Sequence, residues 1–224
     1  MKWTNTAVAA GLLIAAGTWG LEAPAQVPEY KPPMRGAPAS RVGGGTRGIG
    51  DDAPRVIVLS PDHTGLTVSE QPSLYYFVSR PARAKLEVTV INDQAVQPLL
   101  ERDLPAPTSP GIHRLSLKDY NINLKPGIEY RWFVGLVVDE KQRSNDVIAS
   151  GTIQRVEASD KVKGVAAGAP RYLVLASEGI WYDTIDELSR AIDASPGDAS
   201  LRRSRTALLE QVGLEEIAKF ERAR

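Results

Sequence analysis

Cysteine is absent from the 224-residue chain. That excludes disulfides, thiolate nucleophiles, zinc–thiolate sites and iron–sulfur clusters together. Net charge is absent as well, because 27 lysines and arginines balance 27 aspartates and glutamates. A neutral chain carries no electrostatic footprint for nucleic acid or for an anionic membrane. Histidine is scarce, with 2 residues, His63 and His113. No H-E-x-x-H and no G-x-S-x-G occurs, so neither a zinc-hydrolase nor a nucleophile-elbow signature is present. No cofactor is expected.

What is present starts with an apolar run. Lys2 precedes "AVAAGLLIAAGTWGL" at 7–21, and Ala23 and Ala25 give a small-x-small site. This order predicts a secretory signal over residues 1–25, cut before Gln26. The alternative is an uncleaved anchor, but the run is short of the roughly 20 residues of a membrane span. The only charged residues that cleavage removes are Lys2 and Glu22, so the mature chain stays neutral. The expected destination is export, periplasmic or extracellular, with no transmembrane segment in the mature chain.

Residues 26–54 are rich in proline and glycine and poor in apolar side chains. A segment of that composition cannot bury a core and reads as a flexible leader. It holds "RVGGGTRGIGDDAP" at 41–54. A phosphate-binding loop would need a lysine and a strand–helix context. Here Asp51 and Asp52 follow instead, and "IGDDAP" cannot open a helix. The glycines read as a tether.

From Arg55 the texture changes. Seven short segments, 55–59, 73–80, 84–92, 98–104, 111–117, 129–139 and 146–156, are separated by proline, glycine, asparagine and aspartate. That is the pattern of an antiparallel β-sandwich over 55–156. Alternation sets the faces, with Leu86, Val88 and Val90 inward, and Tyr130, Trp132, Val134, Leu136 and Val138 sharing one face. "LKPGIEY" has the form L-x-P-G-x-x-Y, through Leu124, Pro126, Gly127 and Tyr130. Pro-Gly makes a tight turn, and a tyrosine starting the next strand can bond back to upstream backbone. This is the tyrosine corner of immunoglobulin-like and fibronectin-like sandwiches. The predicted fold is therefore mainly β, an immunoglobulin/fibronectin-like sandwich followed by a C-terminal α-helical hairpin.

Residues 157–170 read as a linker and 171–224 as helices packing on the sandwich. Trp181, Ile185, Leu188 and Ile192 form one stripe at helical spacing. Asp198 can cap a second helix lined by Leu201, Leu208 and Val212, and Gly213 ends it. Either the stripe docks on the sandwich, or Trp181 and Ile185 form an interface that waits for a partner. Other clusters have plainer readings. Asp139, Glu140, Asn145 and Asp146 offer oxygen ligands for calcium, yet "KQRS" between them brings two positive charges. His63 in "SPDHTG" reads as an exposed turn, and "RRSR" at 202–205 as a wet helix face.

Taken in order, "RVGGGTRG", "VLSPDHTGLTVSEQPSLYYFVS", "GIHRLSL", "LKPGIEYRWFVGLVVD" and "SGTIQRV" resemble the bacterial family called domain of unknown function 928. "GIWYDTIDELSRAI" and "LLEQVGLEEIA" are similar to its C-terminal helices. The resemblance implies a signal peptide and a single exported domain, and it supplies no reaction, ligand or catalytic residue. Two functions remain open. One is a non-catalytic envelope module, structural or binding another envelope protein. The other is a secreted hydrolase or carbohydrate-binding module using aromatics such as Tyr75, Trp132, Phe133 or Trp181. A concave cleft placing His63 against a carboxylate would favour the enzyme.

Overall fold

The computed structural model of the protein describes residues 27–33, 54–81, 84–92, 96–137 and 139–223. The expected cleavage site at Ala23, Ala25 and Gln26, the glycines of the tether and Val138 lie outside the described residues. Strands β1 (Val56–Val58), β2 (Gly65–Thr67), β3 (Ser73–Val78), β4 (Lys85–Asn92), β5 (Leu100–Pro105), β6 (Gly111–Ser116), β7 (Glu129–Val137) and β8 (Val147–Arg155) form two sheets. Their orders are β1-β3-β6 and β2-β8-β7-β4-β5. Every pairing is antiparallel except that of β2 with β8. The sequence reading anticipates neither that strand nor its parallel direction. "GLT" offers one apolar side chain, too little for an alternation pattern.

The two sheets differ in how they are covered. In β4, Leu86, Val88 and Val90 are buried while Lys85, Glu87 and Thr89 are half-buried, the alternation of a sheet with one wet face. In β3 all six residues of "SLYYFV" are buried. Alternate side chains of β3 must then find cover on both faces. Tyr75 and Phe77 meet the C-terminal helices, through Asp186 and Phe220 respectively. Leu74, Tyr76 and Val78 point the other way by alternation. The short sheet is thus a middle layer, with a sheet on one side and helices on the other.

Those helices are α1 (Asp160–Lys163), α2 (Arg171–Ser177), α3 (Trp181–Ala194), α4 (Ala199–Gln211) and α5 (Glu215–Arg222). The span read as a linker contains α1, which Ser159 caps by accepting the Val162 N–H at 3.4 Å. Val162 packs with Leu175 and Ile180. Asp198 accepts the N–H groups of Ser200 and Leu201 at 2.8 and 3.4 Å and caps α4. Gly213, at φ 73°, follows α4 in the left-handed region, where a side chain is strained. Leu188 and Ile192 join Trp181 and Ile185 in burial. One continuous apolar cluster runs from β1 through the five-stranded sheet to Ala218 of α5. Burying one large side chain of this kind stabilises by roughly 1.5–3 kcal/mol, so the helices belong to the same folded unit as the sheets. Trp181 is 0% exposed and Ile185 1%, which corrects the reading of the two as a partner interface.

The leader also departs from expectation. Pro28 and Tyr30 are buried, while Val27, Glu29, Lys31 and Pro32 are exposed. A lone aromatic among prolines has no periodic neighbours, so nothing in the local pattern marks it as a core residue.

Candidate functional site

Tyr182 sits at the centre of the joint between helices and sheets. Its hydroxyl accepts the indole N–H of Trp132 at 2.9 Å and donates to the Thr152 carbonyl at 2.9 Å, with Ser60 Oγ 3.2 Å away. Two glycines make room for it. A Cβ on Gly65 would stand 2.6 Å from the Tyr182 ring, and one on Gly151 would stand 2.8 Å from Trp132 Nε1. Trp181 beside it donates its indole N–H to the Leu59 carbonyl at 2.8 Å. Burial pushes the Tyr182 phenol well above its ordinary value. It is a fully enclosed neutral fastener, closed to solvent chemistry.

His63 is engaged on both ring nitrogens. Nδ1 lies 3.1 Å from Asp62 Oδ1 and Nε2 lies 2.9 Å from the Tyr30 hydroxyl. The imidazole is 17% exposed rather than open on a turn. Tyr30 also meets Trp181 edge-on, at a ring separation of 5.0 Å. The backbone around Tyr30 is held too. The Gln211 amide accepts the Tyr30 N–H and donates to the Pro28 carbonyl, both at 2.8 Å. Lys31 N–H donates to the Ala176 carbonyl at 3.1 Å. Gly179, at φ 74°, allows the close pass, since a Cβ there would lie 2.7 Å from the Lys31 carbonyl. The carboxylate partner of His63 is present, but Tyr30 covers the nitrogen that a reacting group would need. Neither Gln211 nor Tyr30 is marked by a motif, and Gln211 looks like any polar helix-end residue.

Open grooves lie elsewhere among the described residues, one of about 750 Å³ beside β5. A groove of about 630 Å³ runs between β6 and the α3–α4 turn, bordered by Ile112, His113, Arg114, Asp193, Arg202 and Arg205. Among the described residues β6 pairs with β3 alone, so its other edge is unpaired. Tyr75, on the groove wall, donates to Asp186 Oδ1 at 2.8 Å, and Arg190 Nε holds Asp186 Oδ2 at 3.0 Å. Asp186 in turn borders a smaller cavity of about 260 Å³ with Arg171, Asp183 and Arg190. Burial raises the Asp183 carboxyl despite hydrogen bonds from Thr67 and the Val68 N–H, which pull it down. Burial likewise lowers the His113 imidazole, and its bond to the Ser109 carbonyl opposes that shift.

Arg205 corrects the reading of "RRSR" as a wet face. Its Nε and Nη2 both bind Glu221 Oε2, at 2.9 and 2.5 Å, and Nη1 binds Ser189 Oγ at 2.9 Å. Both charges are buried, joining α3, α4 and α5. A signal was available: Arg205 stands four residues after Leu201 and three before Leu208, on the apolar stripe.

The remaining sequence candidates fall into place singly. Tyr130 is buried and its hydroxyl accepts the Lys125 N–H at 3.1 Å. Leu124 is buried, Gly127 has φ 75°, and Pro126 forms a bridge with Arg155. Glu140 pairs with Lys85, and Asp146 with Arg143, which also grips Glu87 through two nitrogens. Asp139 accepts the Lys141 N–H, and Asn145 donates to Gln142. Among the described residues no three His, Asp or Glu side chains converge as a metal would require. Of the aromatics proposed for sugar stacking, Trp132 and Trp181 are fully buried and Tyr75 nearly so, while Phe133 is half-buried. Among the described residues no helix is long and apolar enough to cross a membrane.

No curated protein matches the chain in sequence. Among solved structures, a multi-domain immunophilin from Arabidopsis thaliana aligns over 86% of this chain and 98% of its own, at 10% identity and a TM-score of 0.18. A score that low carries no argument about fold. Residues 42–221 match the family described as Domain of Unknown Function (DUF928), and over that span, most of its length, the chain belongs to this family.

Proposed function

We propose that this chain is an exported envelope protein with an immunoglobulin/fibronectin-like sandwich, acting as a non-catalytic module that binds another protein. Strand order supports the sandwich reading. β4, β7 and β8 lie side by side as strands C, F and G do, and β3 pairs with β6 as B pairs with E. Tyr130 opens β7, the strand that would be F, and bonds back to Lys125.

The observation that carries the binding reading is the state of His63. It has its carboxylate, yet Tyr30 roofs the other nitrogen. General-base chemistry needs that nitrogen within reach of a substrate proton. One accessible polar groove lies instead beside β6, an edge strand among the described residues. An extended segment can add to such an edge through main-chain hydrogen bonds.

The test is a photo-reactive side chain in place of His113, with Phe133 on the opposite sheet as control, in the native envelope. The reading expects one discrete protein adduct from position 113 and none from 133. Hydrolytic turnover that His63→Ala abolishes would contradict it. Intact mass of the exported chain checks the export step, which predicts a start at Gln26.

A further inference from the structure

Residues 27–33 are bound as a peptide is bound. They form neither helix nor strand. Pro28 and Tyr30 are buried and their neighbours are exposed, so alternate residues anchor an extended segment. Gln211 brackets the backbone from Pro28 to Tyr30, the Ala176 carbonyl takes the next N–H, and Gly179 leaves space for the chain. Apart from the tyrosine ring and the buried Pro28, these contacts read main chain and not side-chain identity. The glycine-rich residues 34–53 join this strap to the body.

The hydrogen bonds that fasten helices to sheets need nothing from the strap. Trp181 is fastened to Leu59 and Tyr182 to Trp132 and Thr152, all by groups outside residues 27–33. Taking the strap away would leave a slot floored by Trp181, with His63 Nε2, the Gln211 amide and the Ala176 carbonyl facing it. We propose that this slot is a peptide-binding site for an extended segment of another protein carrying tyrosine two residues after proline, and that residues 27–33 occupy it in cis as a competing pseudo-ligand. This does not depend on the groove beside β6. A tethered competitor acts at an effective concentration of about millimolar, so a foreign segment binds only when the strap is weakened or outcompeted.

The probe is the labelled heptapeptide Val-Pro-Glu-Tyr-Lys-Pro-Pro, titrated against the mature chain by fluorescence anisotropy. Tyr30→Ala should bind it saturably, one to one, at least about tenfold more tightly than wild type. Adding Gln211→Ala should weaken that binding about tenfold, since two hydrogen bonds to the peptide are lost. A peptide with alanine for tyrosine should not bind. A folded Tyr30→Ala chain that binds the peptide no better than wild type overturns the proposal. If Tyr30→Ala does not fold, Tyr30→Leu, which keeps an apolar filler, takes its place. Failure of both to fold also overturns the proposal, because the slot would then be core. A wild-type dimer that Tyr30→Ala converts to monomer overturns it in favour of strap exchange between two copies.

Discussion

Trp132 of β7 donates its indole N–H to the hydroxyl of Tyr182 on α3, at 2.9 Å, inside the core. One phenol thereby ties α3 to two neighbouring strands of the five-stranded sheet, since it also donates to the Thr152 carbonyl of β8. Tyr182→Phe keeps the ring and removes the oxygen, leaving a buried N–H and a buried carbonyl without their partner. Each stranded group costs about 1–3 kcal/mol. The urea midpoint of Tyr182→Phe should fall accordingly, with the m-value unchanged. An unaltered midpoint would mean that the bond contributes nothing to holding the helices.

Arg205 and Glu221 make a second joint of a different kind. Breaking a buried pair from one side leaves an uncompensated charge, which costs about 3–5 kcal/mol, whereas replacing both with apolar groups is often neutral. Glu221→Leu alone should lower stability by about that amount, and Arg205→Met with Glu221→Leu should recover most of it. Denaturant unfolding of the single and double variants decides. A double variant as unstable as the single one would show that Arg205 matters through Ser189 instead.

Much of this was legible beforehand, and the rest has physical causes. β4 and β7 announce themselves because one wet face forces alternation. β3 does not alternate, since both of its faces are covered, and "SLYYFV" could have been read as a middle layer for that reason. The stripe from Trp181 to Ile192 is plain in the sequence, but what covers it is not, and only the packing decides between the sheets and a partner. Tyr30, Gln211 and the capture of His63 were not legible. Each depends on contacts across more than 30 positions of sequence, and no local pattern encodes them. Arg205 carries two opposed signals, a charge that suggests solvent and a place on the apolar stripe that implies burial, and the ion pair with Glu221 resolves them toward burial.

Tyr130 gives a third expectation. Its hydroxyl accepts the Lys125 N–H across the Pro126–Gly127 turn. Tyr130→Phe should cost about 1–3 kcal/mol by stranding that donor. Thermal and denaturant unfolding of both forms test this, and an unchanged midpoint would remove the tyrosine-corner role from Tyr130.

His113 gives stability a pH dependence. Burial holds its imidazole below the ordinary value of 6.5. The unfolded chain therefore takes up a proton as pH falls through about 6.5, while the folded chain resists until lower pH. The stabilisation is present above about 6.5 and is lost as pH falls toward the folded value. Between pH 7 and 5.5 the wild-type unfolding midpoint should decline, and His113→Gln should flatten that decline. The lowered carboxylates Glu87, Glu178 and Asp198 act in the same direction, but starting from their ordinary values near 4. Equal slopes for wild type and variant would assign the dependence elsewhere.

Both proposed binding sites exist only while α3 lies against β3 and the loop after β1. That makes a single folded unit of sheets and helices the central claim. Scanning calorimetry of the protein, as wild type and as Trp181→Ala, tests it most directly. One transition is predicted, with calorimetric and van't Hoff enthalpies equal. Trp181→Ala should shift that whole transition downward, by the about 3–5 kcal/mol of a buried aromatic truncation. Two separate transitions, or a wild-type curve unmoved by Trp181→Ala, would contradict it.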